Sequence, residues 1–123
     1  MAKIFLVDDE KDITIVLRKG LETAGFAVDD YNDPAEALAN HRSNYYDFHI
    51  LDIRMPGTNG FQLARAIWQH DPSAQICFLS SFEIYEDEAR KVFKNLSTPC
   101  FVKKPITPRA LAEHLRGHSI ATQ

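Results

Sequence analysis

The stretch IFLVDD (residues 4–9) is a short apolar run that ends directly in two carboxylates. Three other short apolar runs end in polar residues in the same way, at residues 48–52, 76–81 and 100–104. Runs that are apolar at successive positions are typical of strands covered on both faces, as in a parallel sheet. A weaker run at residues 26–31 alternates between apolar and polar side chains and predicts an edge strand.

Between these runs, apolar residues recur at helical spacing. The first helical stripe ends at Gly25 and consists of Ile13, Val16, Leu17, Leu21 and Ala24. Four more helices are predicted: one from an Asp33-Pro34 N-cap, one from residue 59 to before residue 72, one over 85–96, and one from Pro108 to Gly117. Because strand and helix alternate five times, right-handed crossovers give a doubly wound, five-stranded parallel α/β sheet.

Composition limits the classes of protein that the chain can form. Its 123 residues are 45% hydrophobic and 25% charged, which is typical of one globular domain. A net charge of −3 does not favour binding to nucleic acid or to an anionic membrane surface. No apolar run approaches the ~20 residues of a membrane span, and the first residues lack the apolar core of a signal peptide. We therefore expect a single cytoplasmic domain over residues 1–123, with no effector domain.

Cys77 and Cys100 fall on predicted strands that should be close neighbours. Two cysteines are too few for a disulfide framework, and the sequence contains no CxxC metal motif. We expect two buried, reduced thiols that act as small hydrophobes rather than a redox pair. His49 lies on a predicted strand and is expected to be a hydrogen-bonded core histidine rather than a metal ligand.

The polar residues at the ends of the predicted strands are the candidate functional residues. Ligands of an open parallel sheet collect beyond the carboxyl ends of its strands, which here bring together Asp8, Asp9, Asp52, Ser80 and Lys104. Three carboxylates repel one another, and a hard divalent cation such as Mg²⁺, which takes oxygen ligands, relieves that repulsion. The competing interpretation is a set of solvated loop acids. A lysine beside the acids favours the first interpretation, because phosphoryl transfer needs a metal and a cation to neutralise phosphate oxygens.

Four stretches of the sequence resemble the receiver domain of two-component response regulators in order and spacing. They are IFLVDDE (4–10), ILDIRMPGTNG (50–60), FLSS (78–81) and FVKKP (101–105), so the resemblance covers essentially the whole chain. It implies a flavodoxin-like (βα)5 fold with strand order 2-1-3-4-5. It also implies a phospho-accepting signalling switch rather than a conventional enzyme, with Mg²⁺ as cofactor, a sensor histidine kinase as donor and an effector domain or protein as output.

The resemblance implies a role for each matching residue. Asp52 is the phosphoacceptor, Lys104 pairs with a phosphoryl oxygen, and the hydroxyl of Ser80 turns inward to hydrogen-bond the phosphoryl group. Phe101 matches the switch aromatic, whose ring swings inward when that hydroxyl leaves room. Pro105 follows the lysine at a position where the family's peptide bond is often cis.

The resemblance also implies how the metal is held. Asp9 and Asp52 bind Mg²⁺ directly through carboxylate oxygens, the backbone carbonyl of Arg54 is the remaining direct protein ligand, and Asp8 acts through water. A carboxylate is a poor nucleophile toward an anionic phosphorus, so the metal and the lysine must cancel charge before the nucleophile can approach.

Ile13 and Ile15 in the first helix, with Pro105 and Ile106 after the last strand, match the surface through which family members dock their kinase. Ile15 lies off the apolar stripe, and Ile13 lies near the acidic edge. We expect Ile15→Glu to impair phosphoryl transfer from the kinase and to spare labelling by acetyl phosphate.

Two other functions stay open at this point. A phosphatase of the haloacid dehalogenase type also uses an aspartate after a strand, but it needs a second aspartate two residues later, where Arg54 stands. A pseudo-receiver that only binds partners would be expected to have lost Asp9, Asp52 or Lys104, and all three are present.

Overall fold

A computed structural model describes residues 1–80 and 100–121. The described elements are β1 (Lys3–Val7), α1 (Lys11–Thr23), β2 (Ala27–Tyr31), α2 (Pro34–Asn40), β3 (Phe48–Asp52), α3 (Gly60–His70), β4 (Ile76–Ser80), β5 (Cys100–Lys103) and α4 (Pro108–Ala121). All five strands are parallel, in the order β2-β1-β3-β4-β5. The predicted doubly wound sheet is confirmed, with β2 at its edge; the helix predicted over 85–96 lies outside the described residues.

Both faces of the sheet are covered, which explains the uninterrupted apolar runs. Along β1, Ile4 and Leu6 point into a core that includes residues of α1 and α4. Phe5 and Val7 point to the opposite face, into a core that includes residues of α2 and α3. Because successive side chains of a strand point to opposite faces, each residue of such a run is buried.

The predicted helix boundaries hold at most termini. Asp33 caps α2 by accepting the N–H of Ala35, and Asn59 forms a reciprocal capping box with Gln62 at the start of α3. Gly25 follows α1 with φ +101°, a conformation that favours glycine. The prediction that Gly117 ends the last helix is wrong, because α4 continues to Ala121. One glycine within a helix costs only about 1 kcal/mol, and the complete burial of Leu111 and Leu115 on α4 contributes more than that.

The apolar stripe predicted for α1 is narrower in the structure. Leu17 and Leu21 are buried, but Val16 is 56% exposed and Thr14 takes a place on the buried face. Successive helical residues point about 100° apart, and α1 is rotated so that Thr14 and Leu17 face the core while Val16 faces outward. The prediction for Val16 is therefore wrong, whereas the expected exposure of Ile15 agrees with the structure at 39%.

The prediction of two reduced thiols is also wrong, because Cys77 and Cys100 form a disulfide. The register of β4 and β5 places the two residues directly opposite each other, with 4.5 Å between their Cα atoms. This separation is within the range that a disulfide spans. The bond joins the two strands that lead to Ser80 and Lys104.

Within residues 1–80 and 100–121, none of the helices combines the length and the apolar character that a bilayer crossing requires.

Candidate functional site

The carboxyl edge of the sheet holds a cavity of about 310 Å³. Five of the predicted site residues line it together, namely Asp9, Asp52, Arg54, Ser80 and Lys104. They end or follow β1, β3, β4 and β5, so the parallel topology alone brings them to one place. Glu10, which was not predicted as a site residue, completes the acidic wall.

Lys104 places an ammonium group in this cavity, and its side chain is only 12% exposed. Its Nζ lies 2.7 Å from Asp8 Oδ2, 3.3 Å from Asp52 Oδ1 and 3.7 Å from Glu10 Oε1. The backbone N–H of Lys104 donates to the carbonyl oxygen of Ser80 at 2.8 Å. The ammonium group of Lys104 is thus held between a carboxylate that follows β1 and one that ends β3, and the backbone of Lys104 is hydrogen-bonded to the end of β4.

Asp8 lies beneath the cavity and is completely buried. Its Oδ1 accepts the backbone N–H of Glu10 at 2.9 Å. Its Oδ2 has the ionic contact with Lys104 but no hydrogen-bond donor aligned with it. A buried carboxylate oxygen with spare acceptor capacity is suited to a further cationic or water partner.

Two polar residues that sequence reasoning missed fix the backbone of Asp8. The side-chain amide of Asn32 donates to the carbonyl oxygen of Asp8 at 2.8 Å and to Thr14 Oγ1 at 3.0 Å. Thr14 is fully buried, and its hydroxyl donates to the carbonyl of Lys11 at 3.0 Å. The position of Asn32 directly after β2, at the same edge of the sheet, is the signal that could have identified it.

Crowding of carboxylates perturbs the protonation of the site. Burial, with Asp8 and Asp9 beside it, raises the pKa of Asp52 to about 7, although Lys104 opposes the shift. Burial alone would lower the pKa of Lys104, but its contacts with Asp8 and Asp52 outweigh burial and raise it. Without a further cation, the site therefore disfavours a negative charge on Asp52 at neutral pH.

These residues fit a hard divalent cation. Carboxylate oxygens of Asp8, Asp9 and Glu10 lie within 4.8 Å of one another. Asp8, Asp9 and Asp52 carry three potential negative charges, and Lys104 supplies a single positive one. Oxygen ligands with an excess of negative charge are what Mg²⁺ prefers in proteins.

The loop after β3 is built close against the backbone of Asp52. A Cβ at Gly60 would overlap the backbone carbonyl of Asp52 and approach Ile53 Cα at 3.0 Å. The N–H of Gly60 donates to the carbonyl oxygen of Ile53 at 2.9 Å. A glycine is therefore required at the start of α3, because a side chain there would displace the strand end that carries Asp52.

Phe101 and Pro105, unlike Ser80, do not line this cavity. Ser80 is buried at the end of β4. Phe101 is half-buried on β5, and its ring packs against Phe78 with 5.6 Å between centroids. The peptide bond between Lys104 and Pro105 is cis, in agreement with the expectation.

A second, more apolar cavity of about 620 Å³ lies next to the acidic one. Its lining includes Ile13, Pro105 and Ile106 from the predicted docking surface, together with the exposed Val16. Ile15 does not line it and lies on the solvent side of α1. Lys104 borders both cavities, so the apolar groove adjoins the acidic site.

Comparison with known proteins identifies the family. The family model of the response regulator receiver domain matches residues 4–116. The chain belongs to this family. Receiver domains are signalling switches that work with histidine kinases and effector domains, and they bind Mg²⁺.

Individual relatives agree with this assignment. The receiver domain is 34% identical over 116 residues to the transcriptional regulatory protein ResD of Bacillus subtilis, covering 94% of this chain and 47% of that protein. It therefore spans less than half the length of this relative.

Two solved structures of known receiver proteins share the fold. The Vibrio cholerae chemotaxis protein CheY4 superimposes with a TM-score of 0.82 at 28% identity, over 95% of this chain and 98% of that one. The response regulator TrrA of Thermotoga maritima, in complex with Mg²⁺-BeF, has a TM-score of 0.77 at 30% identity, over 95% and 98%.

Proposed function

We propose that this receiver domain accepts a phosphoryl group on Asp52 from the phosphohistidine of a sensor histidine kinase, in a Mg²⁺-dependent reaction. The observation that supports this most strongly is the shared cavity of Asp9, Asp52, Ser80 and Lys104. A nucleophile, acidic metal ligands, a hydroxyl donor and an ammonium group are the parts that phosphoryl transfer requires.

In the proposed reaction, a carboxylate oxygen of Asp52 forms a bond to phosphorus while the bond from phosphorus to the kinase histidine breaks. Lys104 neutralises negative charge on the phosphoryl oxygens, and it is already held 3.3 Å from the nucleophilic carboxylate. The hydroxyl of Ser80 donates to a phosphoryl oxygen. The loop at Gly60 fixes the backbone of Asp52, so that the nucleophile is positioned in advance.

Asp9, Asp52 and the backbone carbonyl of Arg54 would hold the metal directly, with Asp8 acting through water. Bound Mg²⁺ supplies charge neutralisation for the clustered carboxylates and for the incoming phosphoryl group. Asn32 and Thr14 support this site by holding the backbone of Asp8 in place.

The phosphorylated state would act on the surface around β5 and α4. The new negative charge draws the hydroxyl of Ser80 and the ammonium of Lys104 toward Asp52. Phe101 lies on the strand next to Ser80 and would turn into the space that the hydroxyl leaves. An effector domain or protein in the cytoplasm would read this change by contact, with no direct binding of nucleic acid or membrane.

The kinase would dock on the apolar groove beside the site. Ile13, Pro105 and Ile106 line the groove, and Ile15 extends the apolar surface of α1. The groove borders Lys104, so a kinase helix seated there would bring its phosphohistidine to Asp52.

The test is incubation with acetyl phosphate and Mg²⁺, followed by intact mass spectrometry. Wild-type protein is expected to gain one phosphoryl group, and Asp52→Asn none. Asp47→Asn is the matched control, because Asp47 is an exposed aspartate before β3 that accepts the N–H of Lys3.

Other results would point to the alternative functions. A wild-type protein that gains no phosphoryl group, although Mg²⁺ binds, would identify a pseudo-receiver that only binds partners. Sustained turnover of phosphomonoesters would identify a phosphatase. Equal labelling of Asp52→Asn and wild type would refute the assignment of the nucleophile.

A further inference from the structure

Three histidines meet at the opposite end of the sheet from the acidic cavity. His41 follows α2, His49 is the second residue of β3, and His70 is the last residue of α3. His41 Nε2 lies 2.8 Å from His49 Nε2, and His41 Nδ1 lies 2.9 Å from His70 Nε2. The three imidazoles therefore form a continuous chain through both nitrogens of His41.

Hydrogen bonding assigns the protons of this chain in its neutral form. His49 Nδ1 lies 3.1 Å from the carbonyl oxygen of Gln75, which can only accept, so Nδ1 carries the proton. The Nε2 of His49 then offers a lone pair toward His41. A histidine whose one ring N–H is bound to a backbone carbonyl has the orientation that metal-ligating histidines show in proteins.

A buried carboxylate completes the cluster. Asp71 follows α3 directly and is 2% exposed. Its Oδ2 accepts the backbone N–H of Asn44 at 3.2 Å. A carboxylate oxygen of Asp71 and one ring nitrogen each of His41 and His49 lie within 4.8 Å of one another.

We propose that His41, His49 and Asp71 bind one borderline divalent cation, such as Zn²⁺, through the Nε2 atoms of the two histidines and a carboxylate oxygen. The proton of His41 would move from Nε2, where it faces His49 in the metal-free protein, to Nδ1, and His70 would accept it there as the outer hydrogen-bond partner. Two imidazoles and a carboxylate suit Zn²⁺ and related ions, whereas Mg²⁺ prefers oxygen ligands alone. Water can take the fourth position.

The two histidine nitrogens need only a small adjustment to share one ion. The carboxylate oxygen of Asp71, which lies within 4.8 Å of them, has to reach a similar separation. Tetrahedral coordination at 2.0–2.1 Å places neighbouring nitrogens ~3.3 Å apart, so the Nε2 atoms must separate by about half an ångström. His41 can supply this movement, because it is partly exposed and lies outside regular secondary structure. Burial, with His49 and His70 nearby, also lowers the pKa of His41 to about 4, so its nitrogens are neutral at pH 7.

This site is distinct from the acidic cavity. His49 and Asp52 lie on the same strand three residues apart, which separates their backbones by about 10 Å. A cation at the histidines would tie the ends of α2 and α3 to β3, on the face of the sheet away from α1 and α4.

The test is a Zn²⁺ titration of tag-free protein against a chromogenic chelator, with saturating Mg²⁺ to fill the acidic site. Reductant is left out, so that the Cys77–Cys100 disulfide stays closed and its sulfurs do not bind zinc. Wild type is expected to bind one Zn²⁺ per chain. Substitution with Co²⁺ should give the visible absorption bands of a tetrahedral site.

Zn²⁺ affinity is compared between wild type and variants of two proposed ligands. His41→Phe keeps a ring against Phe5, and Asp71→Asn keeps an acceptor for the N–H of Asn44. Each should weaken Zn²⁺ binding more than His70→Ala, for which a loss of about tenfold is expected. His114→Gln, on α4, should bind like wild type.

Circular dichroism establishes that each variant is folded before it is titrated. A folded wild type that binds no Zn²⁺ would overturn the proposal. Equal affinities of wild type, His41→Phe and Asp71→Asn would also overturn it, because the ion would then lie elsewhere.

Discussion

Replacing Asp52 by asparagine should stabilise the metal-free domain at pH 8, although it abolishes the proposed phosphorylation. In the structure Asp52 is buried beside Asp8 and Asp9, and its pKa is raised from 3.8 to about 7. A carboxyl group with a raised pKa in the folded state favours folding below its unfolded pKa. That contribution is lost as the pH rises through the folded pKa. Asparagine does not ionise, so the stability of the variant does not decrease in this way as the pH rises.

The expected change in the free energy of unfolding follows from the raised pKa of Asp52. About three pKa units at ~1.4 kcal/mol each give an upper limit of about 4 kcal/mol between pH 4 and pH 8. The asparagine variant would also give up the ion pair with Lys104, although Lys104 keeps its 2.7 Å contact with Asp8. We therefore expect Asp52→Asn to exceed wild type by about 2–3 kcal/mol in free energy of unfolding at pH 8, with little difference near pH 4.

The assay is urea unfolding in the presence of EDTA at several pH values between 4 and 8, for wild type, Asp52→Asn and the surface control Asp47→Asn. The control should follow the pH dependence of wild type. Added Mg²⁺ should raise the stability of wild type more than that of Asp52→Asn, because the metal relieves the same repulsion. A constant difference between the two proteins across this pH range would refute the electrostatic argument, as would a variant less stable than wild type at pH 8.

Gly60→Ala should lower the free energy of unfolding by about 1–3 kcal/mol and slow labelling by acetyl phosphate, because its Cβ meets the backbone of Asp52. Gly117→Ala, with open space around it, should raise the free energy of unfolding by up to about 1 kcal/mol. Urea unfolding and mass spectrometry measure both variants, and equal effects of the two would contradict the packing argument. Ile15→Glu should slow phosphoryl transfer from a purified kinase that phosphorylates wild type but leave labelling by acetyl phosphate unchanged. Leu38→Glu on α2 should affect neither reaction, and it is a matched control because Leu38 is 36% exposed and Ile15 39%. Equal loss of both reactions in Ile15→Glu would show that Ile15 supports the fold. Reduction of the Cys77–Cys100 disulfide, which joins residues 23 positions apart, should lower the free energy of unfolding by about 3 kcal/mol, measured by urea unfolding. Alkylation without reductant should modify neither cysteine, and reactive thiols in the untreated protein would contradict the disulfide.

The sequence was sufficient for the sheet and for the position of the acidic residues. Continuous apolar runs that end in polar residues predict both parallel strands and the edge at which Asp9, Asp52 and Lys104 meet, because one topology dictates both. Helix starts at Asp33 and Asn59 were also predictable, because capping is local chemistry.

Features that depend on register and on helix rotation were not predictable. The disulfide required that Cys77 and Cys100 be directly opposite, and a shift of one residue between β4 and β5 would have separated them. The exposure of Val16 and the burial of Thr14 depend on how α1 is rotated against the sheet. His41 and His70 lie 29 residues apart and meet His49 only because α2 and α3 end at the same side of β3.

Mapping the modified residue shows whether Asp52 is the phosphoacceptor. After incubation with acetyl phosphate and Mg²⁺, borohydride reduction converts an aspartyl phosphate to homoserine, which peptide mass spectrometry locates in the chain. Mg²⁺-dependent phosphorylation of Asp52 should give homoserine at position 52 alone, and none when Mg²⁺ is replaced by EDTA. Homoserine at another aspartate, or none in wild-type protein that is folded and supplied with Mg²⁺, would contradict it.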